Sequence, residues 1–190
     1  MKKKRTKTKA SPVALSAQES LRERLAGVAI FLCDVDGVLT DASVFVSGGQ
    51  EIKRFNIQDG LGLVALRKCG VKVGWVSSRP SGATAHRAAD LKIDFLHQSK
   101  GSKVAAIEQI LALTGLRWDQ VCYAGDDIVD LGPLKRAGVA VAVANAVPEV
   151  LAAAHYVTRA GGGQGAVREI AEMILKAQDK WQQVIADHSV

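Results

Sequence analysis

Two carboxylates, Asp34 and Asp36, stand where the apolar run 28–33 meets a glycine. Residues two apart on a strand share a face. Past a strand end the chain turns, so Asp36 can offer a backbone carbonyl and a side chain separately. Carboxylates held close together repel, and such a pair calls for a cation, a shared proton or a displaced pKa. A turn carrying two solvated acids would read the same in isolation, but this pair has company. The apolar run 71–76 leads into Ser77, Ser78 and Arg79, and the run 120–124 into Gly125, Asp126, Asp127 and Asp130. Lys103 opens the helical segment before the last of these runs. If the runs are parallel strands, their polar ends share one sheet edge, where open α/β sheets bind ligands. Carboxylate oxygens with no His or Cys among them suit Mg²⁺. Mg²⁺ beside a lysine and a hydroxyl is equipment for holding a phosphoryl group.

The elements that would position these groups follow from apolar periodicity and turn residues. Helices are expected over 16–25 (Ser16 as N-cap), 60–69, 83–91, 103–113, 128–137 and 148–153, with a last one from about 165 to 187. Strands are expected over 28–33, 71–76, 93–96, 120–124, 139–143 and 156–157. Gly48-Gly49 splits two β-prone runs into a hairpin, a flap at about 42–56. Alternating strands and helices predict an α/β fold, a Rossmann-like three-layer α/β/α sandwich on a central parallel sheet. The stretch from Asp36 to Ser77 has room for the hairpin and one helix. A separate cap domain does not fit, so the pocket needs another cover, and a neighbouring subunit is the natural candidate.

Of the 25 Lys and Arg, six fall in the first ten residues, and the other 19 balance 19 Asp and Glu. The net charge of +6 therefore belongs to a basic, disordered tail (1–15) ahead of one domain (16–190), which makes no case for nucleic-acid binding. No signal peptide or membrane-spanning run is visible. The cysteines, Cys33, Cys69 and Cys122, are odd in number and lack metal-ligand spacing. The chain reads as cytoplasmic.

Asp34-Val-Asp36-Gly-Val, the hydroxyl of Ser77, Lys103 and Gly125-Asp126-Asp127-x-x-Asp130 come in the order of the four motifs of the haloacid dehalogenase-like (HAD) phosphohydrolases, which the chain resembles. A narrower resemblance covers most of residues 27–178. Asp36-Gly-Val-Leu-Thr-Asp41, Phe55-Asn-Ile-Gln-Asp59-Gly-Leu-Gly62, Tyr156-Val-Thr-Arg159 and Gly162-Gly-Gln-Gly165-Ala-Val-Arg-Glu169 are similar to the cap-less 3-deoxy-D-manno-octulosonate (KDO) 8-phosphate phosphatases of lipopolysaccharide precursor synthesis. That resemblance implies a Mg²⁺-dependent phosphomonoesterase and a homotetramer whose hairpins close each active site. It implies Asp34 as nucleophile and Asp36 as general acid/base. Asp34, Asp126 and the Asp36 backbone carbonyl would bind Mg²⁺, and Ser77 and Lys103 the phosphoryl oxygens. Asp127 would orient Lys103 or a metal-bound water, with Asp130 supporting the site or serving as a helix N-terminal charge.

Ser78, Arg79, Asp59, Gly60 and Arg168 are candidate substrate contacts. Asn56 and Asp59 read equally as caps of the following helix. Gly161 to Gly165 reads as a phosphate-binding turn or a flexible helix entry. Arg168, in the first turn of a helix, is misplaced for the helix dipole and could answer an anion across an interface. Gln58 and Gln164 stand where the group has Arg, which removes two cations from the rim. A nonulosonate (sialic acid-like) 9-phosphate or another sugar phosphate is the alternative substrate, and a non-catalytic oligomerisation module the alternative role.

Overall fold

The computed structural model describes the backbone of residues 12–189 and side chains from residue 19 onward. In chain order the first elements are α1 (Pro12–Ala26), β1 (Ile30–Cys33), β2 (Phe45–Ser47), β3 (Gln50–Ile52), α2 (Ile57–Lys68), β4 (Lys72–Ser77), α3 (Gly82–Asp90) and β5 (Phe95–Gln98). Then come α4 (Lys103–Thr114), β6 (Val121–Gly125), α5 (Leu131–Leu134), β7 (Val139–Ala142), α6 (Pro148–Ala153), β8 (Tyr156–Val157), α7 (Ala166–Ala177) and α8 (Trp181–Asp187). Helix α1 begins four residues before Ser16. The basic stretch expected as a tail falls, up to residue 11, outside the described residues.

Six strands form one parallel sheet in the order β5-β4-β1-β6-β7-β8. Strands β1, β6 and β7 are buried along their whole length, as parallel strands covered on both faces must be. Helices α1, α2 and α7 pack together on one face, while α4, α5 and α6 contact the sheet on the other. Right-handed crossovers place them so, because the chain runs outward from β1 through β4 to β5 and then reverses through β6 to β8. In register, Cys33 lies between Trp75 and Ala124. The residue after it, Asp34, therefore emerges between the ends of β4 and β6.

The hairpin β2–β3 is a separate two-stranded sheet, with Phe45 opposite Ile52 and Val46 opposite Glu51. Phe45 and Ile52 are exposed side by side, and Val46 is 74% exposed.

Helix α2 starts three residues earlier than expected, because the Asn56 side chain accepts the N–H groups of Gln58 and Asp59. That places Asp59 in the first turn, where it is buried and reaches across to α7. Its Oδ1 accepts the Arg168 N–H at 2.7 Å. A carboxylate at the N-terminus of α7 satisfies an orphan donor and complements the helix dipole. Two further expected helices are shortened or divided in the structure. Residues 128–130 form a single 3₁₀ turn before the short α5, since Gly132 and Pro133 follow at once. The last helix is two: α7 stops at Ala177, Asp179 takes a left-handed φ of 55°, and α8 restarts at Trp181. Lys180 N–H closes this cap on the Leu175 carbonyl at 2.8 Å. Among the described residues no helix is long and apolar enough to cross a membrane.

Candidate active site

The three polar strand ends expected on one edge do meet there. Asp34 follows β1, and its N–H continues the ladder to the Ala124 carbonyl at 3.0 Å. Its Oδ1 accepts the Val35 N–H at 2.7 Å, and its Oδ2 lies 2.9 Å from Lys103 Nζ. Lys103 is the first residue of α4, which Ser102 caps, so the helix start aims it at the sheet edge. Asp130 closes the group from behind. Its Oδ1 takes Lys103 Nζ at 2.7 Å and the Tyr123 hydroxyl at 2.6 Å, while Oδ2 accepts the N–H groups of Asp126 (3.1 Å) and Asp127 (3.4 Å).

Asp34, Asp126 and Asp130 each bring one carboxylate oxygen within 4.8 Å of the others. Two unit charges at that distance repel by roughly 3–4 kcal/mol at an effective dielectric of about 20. Burial pushes Asp34 up to about 6, against the pull of Lys103. Burial likewise raises Asp126 to about 7, aided by Asp34 and Asp130. Burial pulls Lys103 down, but Asp130 and Asp34 outweigh it and hold the ammonium charged. Asp126 Oδ1 is buried with no hydrogen-bond partner. Crowded hard oxygens, one of them unpartnered, are what a Mg²⁺ ion would satisfy. Asp130, with both oxygens engaged by protein donors, supports the lysine and the 126–127 backbone instead.

Gly37 is required at this point. Its φ is +95°, and a Cβ there would lie 1.9 Å from Asp126 Oδ2. The loop 37–41 is held by Thr40, whose buried Oγ1 accepts the N–H groups of Gly37 (3.3 Å) and Ala42 (3.2 Å). The glycine loop 161–165, one reading of which was a phosphate-binding turn, packs on the same segment. Gly162 approaches so closely that a Cβ would stand 1.7 Å from the Gly37 carbonyl oxygen, and Asn145 Oδ1 accepts its N–H at 2.8 Å.

Ser77 ends β4 and is buried. Arg79 N–H donates to its Oγ, and the hydroxyl donates on to the Arg79 carbonyl, both at 3.1 Å. Ser78 lines a cleft of about 390 Å³ with Lys100, Ser102 and Lys103. Arg79 pairs with Glu51 of β3 and stands 3.9 Å from Asp36 Oδ2. Asp36 is partly exposed, and Lys53, just past β3, places its Nζ 2.6 Å from Asp36 Oδ1.

Several expected contacts lie elsewhere. Asp127 does not touch Lys103; it is exposed and caps the following turn through the Ile128 N–H at 2.7 Å. Asp59 is 1% exposed and committed to α7. Gly60 is a packing position, where a Cβ would meet Arg87 at 2.7 Å. Arg168 pairs with Glu172 at 2.9 Å and lies over the Trp181 ring at 5.0 Å, so its place near the start of α7 is compensated within the chain. Asp59, Gly60 and Arg168 thus each make packing or polar contacts within this chain. Sequence reasoning missed Lys53, Glu51, Tyr123 and Thr40. For Lys53 the signal was available: in a hairpin, Glu51 and Lys53 share a face by strand alternation.

Residues 90–170, which carry Lys103, Asp126, Asp127 and Asp130, match the haloacid dehalogenase-like hydrolase family. The 3-deoxy-D-manno-octulosonate 8-phosphate phosphatase of Yersinia pestis is 40% identical over 159 residues, 83% of this chain and 85% of that protein. A crystal structure of the Y. pestis phosphatase superposes with a TM-score of 0.85 at 39% identity, covering 86% of this chain and 89% of that one. The Moraxella catarrhalis phosphatase, solved with a magnesium ion, a phosphate ion and KDO, gives a TM-score of 0.88 at 34% identity over 90% of this chain and 99% of that one. With Asp34, Lys103, Asp126 and Asp130 assembled at one sheet edge, the chain belongs to the haloacid dehalogenase-like hydrolases, in the family of the KDO 8-phosphate phosphatases.

Proposed function

We propose that residues 16–190 are one catalytic domain, a Mg²⁺-dependent phosphomonoesterase that hydrolyses KDO 8-phosphate to KDO and phosphate. The observation that carries this reading is the cluster of buried Asp34 and Lys103 with half-buried Asp126, whose Oδ1 has no hydrogen-bond partner. Relatives of that activity at 34–40% identity over most of the chain support the substrate.

In this reading an Asp34 carboxylate oxygen attacks phosphorus, and the P–O bond to the sugar breaks. Asp36 gives the departing alkoxide its proton. It then takes a proton from the water that attacks the phosphoaspartate, which releases phosphate and restores Asp34. Lys103, held by Asp130, steadies Asp34 and offers its charge to the phosphoryl oxygens. The Ser77 turn lies at the neighbouring strand end, within reach of the same group. The side chains of Asp34 and Asp126 and the Asp36 carbonyl are the residues to hold Mg²⁺, which when bound neutralises charge so that a carboxylate can approach a phosphate dianion.

A homotetramer closing its sites with neighbouring hairpins belongs to the same proposal. The exposed pair Phe45 and Ile52 supports it, since contiguous apolar surface marks interfaces. Light scattering should give a tetrameric mass, and Phe45→Asp should lower it; a monomeric wild type would refute the assembly. A cytoplasmic location fits three free thiols, and osmotic-shock fractionation tests it.

Phosphate release should be measured across KDO 8-phosphate, a nonulosonate 9-phosphate and hexose phosphates, with Mg²⁺ and with EDTA. KDO 8-phosphate should be strongly preferred and EDTA should abolish turnover. Preference for another sugar phosphate would overturn the substrate, and silence from folded protein the catalytic reading.

The displaced carboxyl groups predict a pH effect. Unfolded aspartates lose their protons near about pH 4. Between about pH 4 and 7 the metal-free native state therefore binds more protons at Asp34 and Asp126 than the unfolded chain, and these two groups lower stability as pH rises. Mg²⁺ needs them deprotonated. The gain in melting temperature on adding Mg²⁺ should grow from about pH 5.5 to about 7.5 and then level, and Asp126→Asn should remove most of it. A pH-independent gain would contradict the ligand assignment.

A further inference from the structure

We propose that Lys53 is a positioning residue that fixes the Asp36 carboxylate at the active site, so that each hairpin takes part in the chemistry of its own chain. The inference rests on reading Asp36 as the proton donor to the leaving group. Lysine side chains normally run their charged ends out to water. The side chain of Lys53 has no exposed surface at all. A buried ammonium is costly unless oxygens surround it, and here they do. Nζ lies 2.6 Å from Asp36 Oδ1 and 3.5 Å from Glu51 Oε1, and it donates to Thr84 Oγ1 at 3.2 Å.

Two of these oxygens, those of Thr84 and Glu51, are themselves anchored. Thr84 is fully buried in α3. Glu51 is bound by Arg79 and by the Ser81 hydroxyl (2.5 Å), which hold its carboxyl down to about 2. Asp36 has no such anchor of its own. Both its oxygens are buried with no aligned hydrogen-bond donor, and Arg79 stands off at 3.9 Å. The contact from Lys53 is therefore the close constraint on where this carboxylate points. Ile52 and Arg54, the alternate residues of the same stretch, are exposed. One face of the hairpin thus meets solvent or a partner, while Glu51 and Lys53 lock the other to Asp36, Arg79 and α3.

A lysine that only stabilised the hairpin would affect all substrates alike when removed, whereas one that positions the acid would affect them by leaving group. The test compares kcat/KM, which reports steps through the first phosphoryl transfer, for the sugar phosphate and for p-nitrophenyl phosphate. Lys53→Met should lower the sugar phosphate value about 100-fold, the low end of what a positioned acid contributes. It should lower the aryl value less than about fivefold, because p-nitrophenolate departs without a proton. Lys53→Arg should recover part of the loss. Thr84→Val, which removes one anchor of Nζ, should show a smaller loss with the same selectivity and serves if Lys53→Met does not fold. Equal losses on both substrates, or no loss on either, would overturn the proposal. Asp36→Asn separates the two layers. If it shows the leaving-group signature and the Lys53 and Thr84 variants do not, the positioning role alone falls. If Asp36→Asn itself lacks the signature, the reading of Asp36 falls and the proposal with it.

Discussion

Repulsion among three carboxylates at one sheet edge is the constraint on which the rest of this structure depends. Asp34, Asp126 and Asp130 crowd within 4.8 Å, mostly out of water, with one internal cation in reach of two of them. Such a cluster is unfavourable by itself and persists because its surroundings over-determine it. The central strands are buried on both faces and cannot shift to relax it. Gly37 lets the β1 loop turn directly against Asp126, and Asn145 and the 161–165 loop clamp that turn from outside. The same crowding that strains the fold suits a divalent cation and a phosphoryl group.

The division of labour among the acids follows from their hydrogen bonds. Asp130 has spent both oxygens on Lys103, Tyr123 and two backbone N–H groups, so it orients without reacting. Asp34 retains an oxygen beside a charged lysine, and Asp126 keeps one with no partner. Asp36, one turn further on, is tied to the hairpin rather than to the cluster. Three acids crowded around one lysine and a fourth held apart by another is an arrangement that suits the proposed split between nucleophile and proton carrier.

The site was legible in the sequence to the extent that topology alone determines position. In a parallel sheet every strand ends on the same edge, so polar residues after apolar runs must meet there, and Asp34, Ser77 and Asp126 do. What escaped depends on contacts between distant segments. Asp59 reads as a local cap or a substrate contact, yet its partner Arg168 is 109 residues away. Tyr123 sits in an apolar run and reads as core; only the fold brings its hydroxyl to Asp130. The break at Asp179 is marked by neither Gly nor Pro, yet the residue takes a left-handed φ and the Lys180 N–H returns to the Leu175 carbonyl. For Lys53, strand alternation gives the face it shares with Glu51, but burial of a lysine is a property of what surrounds it.

The most direct test of this account is whether Asp34 carries the phosphoryl group. Asp36→Asn should be mixed with Mg²⁺ and p-nitrophenyl phosphate, quenched in acid and analysed by peptide mass spectrometry. An aryl leaving group needs no proton, but hydrolysis of the adduct needs a base, so the intermediate should accumulate. The account predicts a phosphoryl adduct on the peptide containing Asp34, and none when Asp34→Asn is added. Release of p-nitrophenol by folded protein with no adduct, or an adduct on another residue, would contradict it.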